Sequence, residues 1–231
     1  MQTLGFILDP MYFVFVGPAI LLALWAHFKV KSAFAAASKQ AARSGLSGAE
    51  TAQRILDTYS ITDVKIEPVR SLLGDHYDPR HKVLRLSPDV YNGRSLAALG
   101  IAAHEVGHAI QHAHSYAPLI LRNSLVPMAS IGSYLSFILL IIGMILSFKP
   151  LAIIGLALFG TVVLFQLVNL PVEFNASSRA RAILIDHGMV GPDEDKHVGK
   201  VLNAAAMTYV AATAVALTQM LYYGSLVLGR E

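Results

Sequence analysis

The sequence predicts a mainly α integral membrane protein, with about four transmembrane helices and a small α+β region, on three observations. Charged residues make up 14% of the 231-residue chain and hydrophobic ones 55%, whereas a water-soluble domain carries about 25% charge. The surface left uncovered must face lipid. Next, four long stretches hold no charge: 10–28, 123–148, 150–172 and 201–229. A bilayer core of about 30 Å takes around 20 apolar residues per helix, so the first three qualify as spans. The fourth is richer in Ala, Thr and Tyr, but 207–228 can cross without one charge, which favours a span over a buried helix. Last, the segment 32–122 holds most of the charge and mixes helical with alternating patterns, as a compact polar region does.

The first span has no positive residue before it and is followed by Lys29, Lys31, Lys39 and Arg43. That order suits an uncleaved anchor with its N-terminus outside, not a signal peptide. An Ala-rich helix is expected near 32–44, broken at Ser44-Gly45, and a second over about 48–58 with Ala52, Ile55, Leu56 and Tyr59 on one face. Residues 63–69 alternate Val64, Ile66 and Pro68 against Lys65 and Glu67, which reads as a short strand. Residues 74–80 are dense in turn formers, and 81–86 read as a second strand. This strand is either an exposed edge that holds a substrate peptide by strand addition or part of a hairpin that covers the next helix. Asn92-Gly93 marks a turn, and Ser95 is placed to cap that helix. The expected divisions are an N-terminal transmembrane anchor (1–31), a cytoplasmic α+β region (32–122), two transmembrane helices (123–172), a further helical segment (173–204), and a fourth transmembrane or buried helix with its tail (205–231).

Inside the capped helix, His104-Glu105-Val106-Gly107-His108 spell H-E-x-x-H. Positions four apart share one face of a helix, so two imidazoles there can grip one Zn²⁺ at about 2.0–2.1 Å each. Glu105 follows the first histidine and can reach the water that completes the metal's shell, whose pKa zinc lowers from about 15.7 toward roughly 7. The flanks, from Leu96, Ala97, Ala98 and Leu99 to Ala109 and Ile110, are apolar. A carboxylate buried there without a partner costs several kcal/mol. Three polar groups in that setting call for a metal. The chain has no cysteine, so disulfides, thiolate ligands and a thiol nucleophile are excluded, and the donors must be nitrogen and oxygen.

A catalytic zinc takes three protein ligands and keeps a fourth position open. His114 has the metzincin spacing from His104, but the glycine that turns a metzincin chain back is here Gln111. His112 stays on the ligand face yet lies about 6 Å further along the axis. The other candidate is Glu173, directly after the third span, where Pro171 suits a bend or restart. A carboxylate in so apolar a setting needs a partner, and this favours Glu173 over His114, as a His-His-Glu site like those of gluzincins.

The chain resembles the YugP family of bacterial membrane-bound neutral zinc metallopeptidases. The resemblance runs through Asp9-Pro10-Met11-Tyr12, Leu24-Trp25-Ala26, Lys29-Val30-Lys31-Ser32 and Asp75-His76-Tyr77-Asp78-Pro79. It continues in Leu84-Arg85-Leu86-Ser87, Ala102-Ala103-His104-Glu105-Val106-Gly107-His108-Ala109-Ile110-Gln111, Pro171-Val172-Glu173-Phe174 and Leu202-Asn203-Ala204-Ala205-Ala206-Met207-Thr208-Tyr209-Val210. More distantly the chain is similar to the HtpX and CAAX prenyl protease group, whose H-E-x-x-H is paired with a later E-x-x-x-D. Carried over, that glutamate falls on Glu173 and the aspartate position on Ser177, a departure; Asn175 is an alternative for orienting a ligand through its amide.

The resemblance and the motif together predict a zincin-like metalloprotease region and a membrane-embedded zinc endopeptidase. One Zn²⁺ per chain is expected on His104, His108 and Glu173, with Glu105 as general base. Arg179, Arg181, Tyr77, His76 and His197 are candidates for stabilising the oxyanion. Substrates are expected to be proteins or peptides, membrane-associated ones first, with the lipid bilayer as the other partner. The basic residues are not interleaved with aromatics on a face, which excludes nucleic acid. A scaffold with a structural zinc would have no use for Glu105, and the spans leave no polar path for a transported ion. Sixteen of the eighteen Lys and Arg fall in 29–122 and 171–204; only Lys149 and Arg230 fall on the other side. Those counts place the active site on the cytoplasmic side of a bacterial inner membrane.

Overall fold

The structure is a computed structural model that describes residues 9–70 and 74–229; Arg230 lies outside them. The elements run α1 (Pro10–Ser38), α2 (Gly48–Thr58), β1 (Lys65–Pro68), β2 (His76–Asp78), β3 (Val83–Leu86), α3 (Pro88–Tyr91), α4 (Leu96–Ala113), α5 (Ala117–Ile145), α6 (Lys149–Asp186) and α7 (Pro192–Leu228). Four of them, α1, α5, α6 and α7, are long and apolar enough to cross a membrane. With the three-stranded sheet, this is the expected mainly α membrane protein with a small α+β region.

The chain forms two compact units. One comprises 1–26, 120–170 and 208–231. It packs Val16, Leu140, Leu156 and Tyr222 inside and leaves large side chains such as Val14, Leu21, Ile131 and Leu221 exposed, the outward-facing hydrophobicity of helices solvated by lipid. Four of its polar groups are tied in pairs: Tyr222 Oη donates to Asp9 at 2.9 Å and Gln219 to Tyr12 Oη at 3.0 Å.

The other unit comprises 27–119 and 171–207 and holds the sheet. α2 starts at a capping box in which Ser47 Oγ accepts from Glu50 N and Glu50 accepts from Ser47 N. Its apolar face, Ala52, Ile55 and Leu56, is fully buried with Leu84 and Leu86 of the sheet and Leu99, Val106 and Ile110 of α4. Each such leucine or isoleucine contributes roughly 1.5–3 kcal/mol on burial.

Three local expectations are corrected. No separate helix begins near 32: α1 continues to Ser38, because nothing in the run Ser32–Ala37 interrupts the helical hydrogen bonding. α6 likewise passes through Pro171 without a restart. The sheet order is β1-β3-β2, with β3 parallel to β1 and antiparallel to β2. The strand expected over 81–86 is therefore central, and both its edges are already paired. It cannot take a substrate strand. The two edge strands are β1 and β2, and β2 forms within the turn-rich run 74–80.

Candidate metal centre

α4 is fixed at its start. Ser95 Oγ accepts from Ala98 N at 3.2 Å, and Leu96 N donates to Gln40 O at 2.9 Å. Six residues before its end, Gly107 lets α6 approach: a Cβ there would lie 2.9 Å from Ala176 O and 3.3 Å from Ala176 Cα. Around Ala176, positions 173 and 177 lie on the same side of α6. The contact thus sets Glu173 and Ser177 against the face of α4 that carries His104 and His108.

The ligand-type atoms of His104, His108 and Glu173 all lie within 4.8 Å of one another. Glu173 Oε2 is 3.3 Å from His104 Nε2 and 3.7 Å from His108 Nε2. It is fully buried yet has no hydrogen-bond partner. A buried anionic oxygen without a donor costs far more than a neutral polar atom, and two imidazole nitrogens beside it complete a hard-to-borderline N₂O donor set. That set and that orphaned oxygen fit Zn²⁺. The same field acts on protons: burial opposes a charged His108 ring, but the Glu173 and Glu105 carboxylates outweigh it and raise its pKa above the ordinary histidine value.

The rings are held from behind as well. His104 Nδ1 lies 3.2 Å from Ser177 Oγ, and His108 Nδ1 lies 3.0 Å from Gln111 Oε1. The residue that departs from the E-x-x-x-D pattern therefore still touches a histidine, as a hydroxyl in place of a carboxylate. Gln111 was missed in the sequence as a partner of His108, although the i, i+3 spacing on one helix would have signalled it.

Glu105 lies outside this group and is held differently. The Tyr77 backbone N–H, which points away from β3, donates to Glu105 Oε2 at 3.0 Å. Tyr77 Oη meets His112 Nδ1 at 2.8 Å, and its pKa is pushed up to about 12 by burial, then by the Asp63 and Asp78 carboxylates. His114 is the C-cap of α4, and neither it nor His112 belongs to the donor cluster. Among the oxyanion candidates, Arg181 is taken by Asp195 at 2.9 and 2.6 Å, and Arg179 donates to Asn175. His76 contacts Gly74 O and Arg85, and His197 lines a surface pocket with Gln40, Arg43 and Asp193. Tyr77 is the candidate whose backbone N–H bonds Glu105.

Four membrane-length helices and a His-His-Glu cluster able to hold a metal are the features of a membrane-bound zinc metalloprotease. A family profile described as "Putative neutral zinc metallopeptidase" matches residues 12–228, and the chain belongs to that family. It is 50% identical over 214 residues to the "Putative membrane protease YugP" of Bacillus subtilis (strain 168), covering 92% of this chain and 95% of that one. No solved structure matches.

Proposed function

We propose that this protein is a zinc endopeptidase in which His104, His108 and Glu173 hold one zinc per chain and Glu105 is the general base. The observation that carries the reading is Glu173 Oε2, buried and partnerless between two imidazole nitrogens. Bound there, zinc would supply Lewis acidity to a peptide carbonyl and acidify water. Glu105 stays outside the ligand set, with Oε2 fixed by Tyr77 N–H. From that position its carboxylate takes the proton of the attacking water and delivers it to the leaving amine nitrogen.

An extended peptide laid along the outer edge of β2 would run beside Glu105 with its side chains alternating between the two faces, the Tyr77 N–H there being kept by Glu105. This assigns protein or peptide chains as substrates, presented at the cytoplasmic face of a bacterial inner membrane, where the basic residues cluster.

The test is Glu105→Gln. The amide fills the same volume and still accepts from Tyr77 N–H, but it cannot take a proton. Zinc content and fold are expected to stay, and cleavage of casein by the purified protein to fall by about 10²–10⁴-fold. Undiminished cleavage, with a mock purification showing no contaminating protease, would overturn the assignment of the base.

A further inference from the structure

His108 is backed by three side chains whose hydrogen bonds can be read in only one sense. A guanidinium donates and never accepts. Arg179 Nε donates at 2.8 Å to Asn175, so the atom Asn175 turns toward it is Oδ1. Gln111 is fully buried, and its Nε2 faces the same Oδ1 at 3.0 Å and Val172 O at 2.8 Å. Both of those atoms accept, so this end of the Gln111 amide is the NH₂ and the opposite end is the carbonyl. That carbonyl, Oε1, lies 3.0 Å from His108 Nδ1. An amide oxygen only accepts, so Nδ1 carries the ring proton. The lone pair of neutral His108 is then on Nε2, the atom that faces Glu173.

We infer that Arg179, Asn175 and Gln111 are positioning residues, forming a chain that fixes the tautomer and tilt of His108 so that Nε2 points its lone pair at the metal. The inference rests on the reading of His108 as a ligand. Arg179, a candidate for oxyanion stabilisation by sequence, acts here through two amides instead. The chain also couples the two helices, since Gln111 is on α4 while Val172, Asn175 and Arg179 are on α6. Partners of this kind fix ring orientation, and their loss costs about 10–100-fold in metal affinity.

The experiment uses the full-length protein in detergent, with two readouts: zinc affinity by competition with a chelator, and the visible absorption of the Co²⁺-loaded form. Gln111→Met, close in volume, is expected to weaken zinc by about 10–100-fold and to change the cobalt spectrum. Asn175→Asp keeps an acceptor for both Gln111 Nε2 and Arg179 Nε and is expected to bind as wild type does. Asn175→Leu, of similar size, removes it and is expected to weaken zinc. A role in packing alone would not separate the last two. His108→Ala is measured in parallel: wild-type zinc affinity in that variant defeats the ligand reading itself. If His108→Ala loses zinc while Gln111→Met binds and absorbs as wild type, the chain alone is overturned. Should Gln111→Met not fold, the Asn175 pair decides, and equal behaviour of the Asp and Leu variants overturns the inference.

Discussion

Tyr77 acts through two atoms with separate consequences, one of the backbone and one of the side chain. Its N–H holds Glu105 and survives any substitution but proline, while its Oη meets His112 Nδ1. Tyr77→Phe therefore removes one hydrogen bond, worth about 1 kcal/mol of stability near neutral pH, and leaves Glu105 held. The pKa of about 12 means that folding favours the neutral phenol. Its contribution is complete below the ordinary tyrosine value of about 10 and is lost as pH rises through 12. The thermal midpoint of the wild type should thus fall more steeply between pH 10 and 12 than that of Tyr77→Phe. Parallel slopes would show that the phenol is not buried as described. At this scale the sequence was legible wherever periodicity and chemistry coincide: His104 and His108 by spacing and Glu173 by its apolar setting are the three side chains that lie together. Ser177 was reached only through the resemblance and Gln111 was missed despite its i, i+3 spacing from His108, because a hydroxyl and an amide are common and take their role from the partner they meet.

Elements were legible in proportion to their length. The eleven residues of α2 announce themselves through a capping box and an apolar face, whereas β2 has three residues set among turn formers. No pattern of period two can be read in three positions. Strand order was equally hidden, since pairing depends on which edges find partners, and the strand nearest the motif in sequence proved to be the central one. The approach of α4 to α6 is what brings the donors together, and it depends on Gly107. Gly107→Ala would drive a Cβ to 2.9 Å from Ala176 O, a backbone atom that cannot swing aside. The helices must separate by a few tenths of an ångström, at a cost of about 1–3 kcal/mol, and Glu173 moves with them. Both the thermal midpoint and the zinc affinity should drop. Gly224→Ala, in α7 with nothing within 4 Å of its Cβ, is the control and should be neutral or stabilising by up to about 1 kcal/mol. Equal effects of the two substitutions would refute the close-contact account.

For the whole molecule, the question is which way the four helices run. α5 and α6 are each long and apolar enough to cross between 120 and 170; with both crossing, 29–119 and 171–204 return to the same side whatever that side is. A shared metal on His104, His108 and Glu173 demands the same parity. We propose the cytoplasmic side from the Lys and Arg count: sixteen of eighteen lie in 29–122 and 171–204, with Lys29 and Lys31 beside the end of the first apolar stretch. Translocating those residues would oppose the positive-inside bias, whereas the other side of α5 and α6 would carry only Lys149, the first residue of α6. The chain has no native thiol, so single cysteines report without background. Gln53→Cys sits on the exposed face of α2, and Ser147→Cys sits in the exposed α5–α6 turn with little change in size. In intact cells stripped of their outer layers, a membrane-impermeant maleimide should label Ser147→Cys at once and Gln53→Cys only after permeabilisation. The reverse pattern would place the metal centre outside, and its substrates would then be secreted or surface chains.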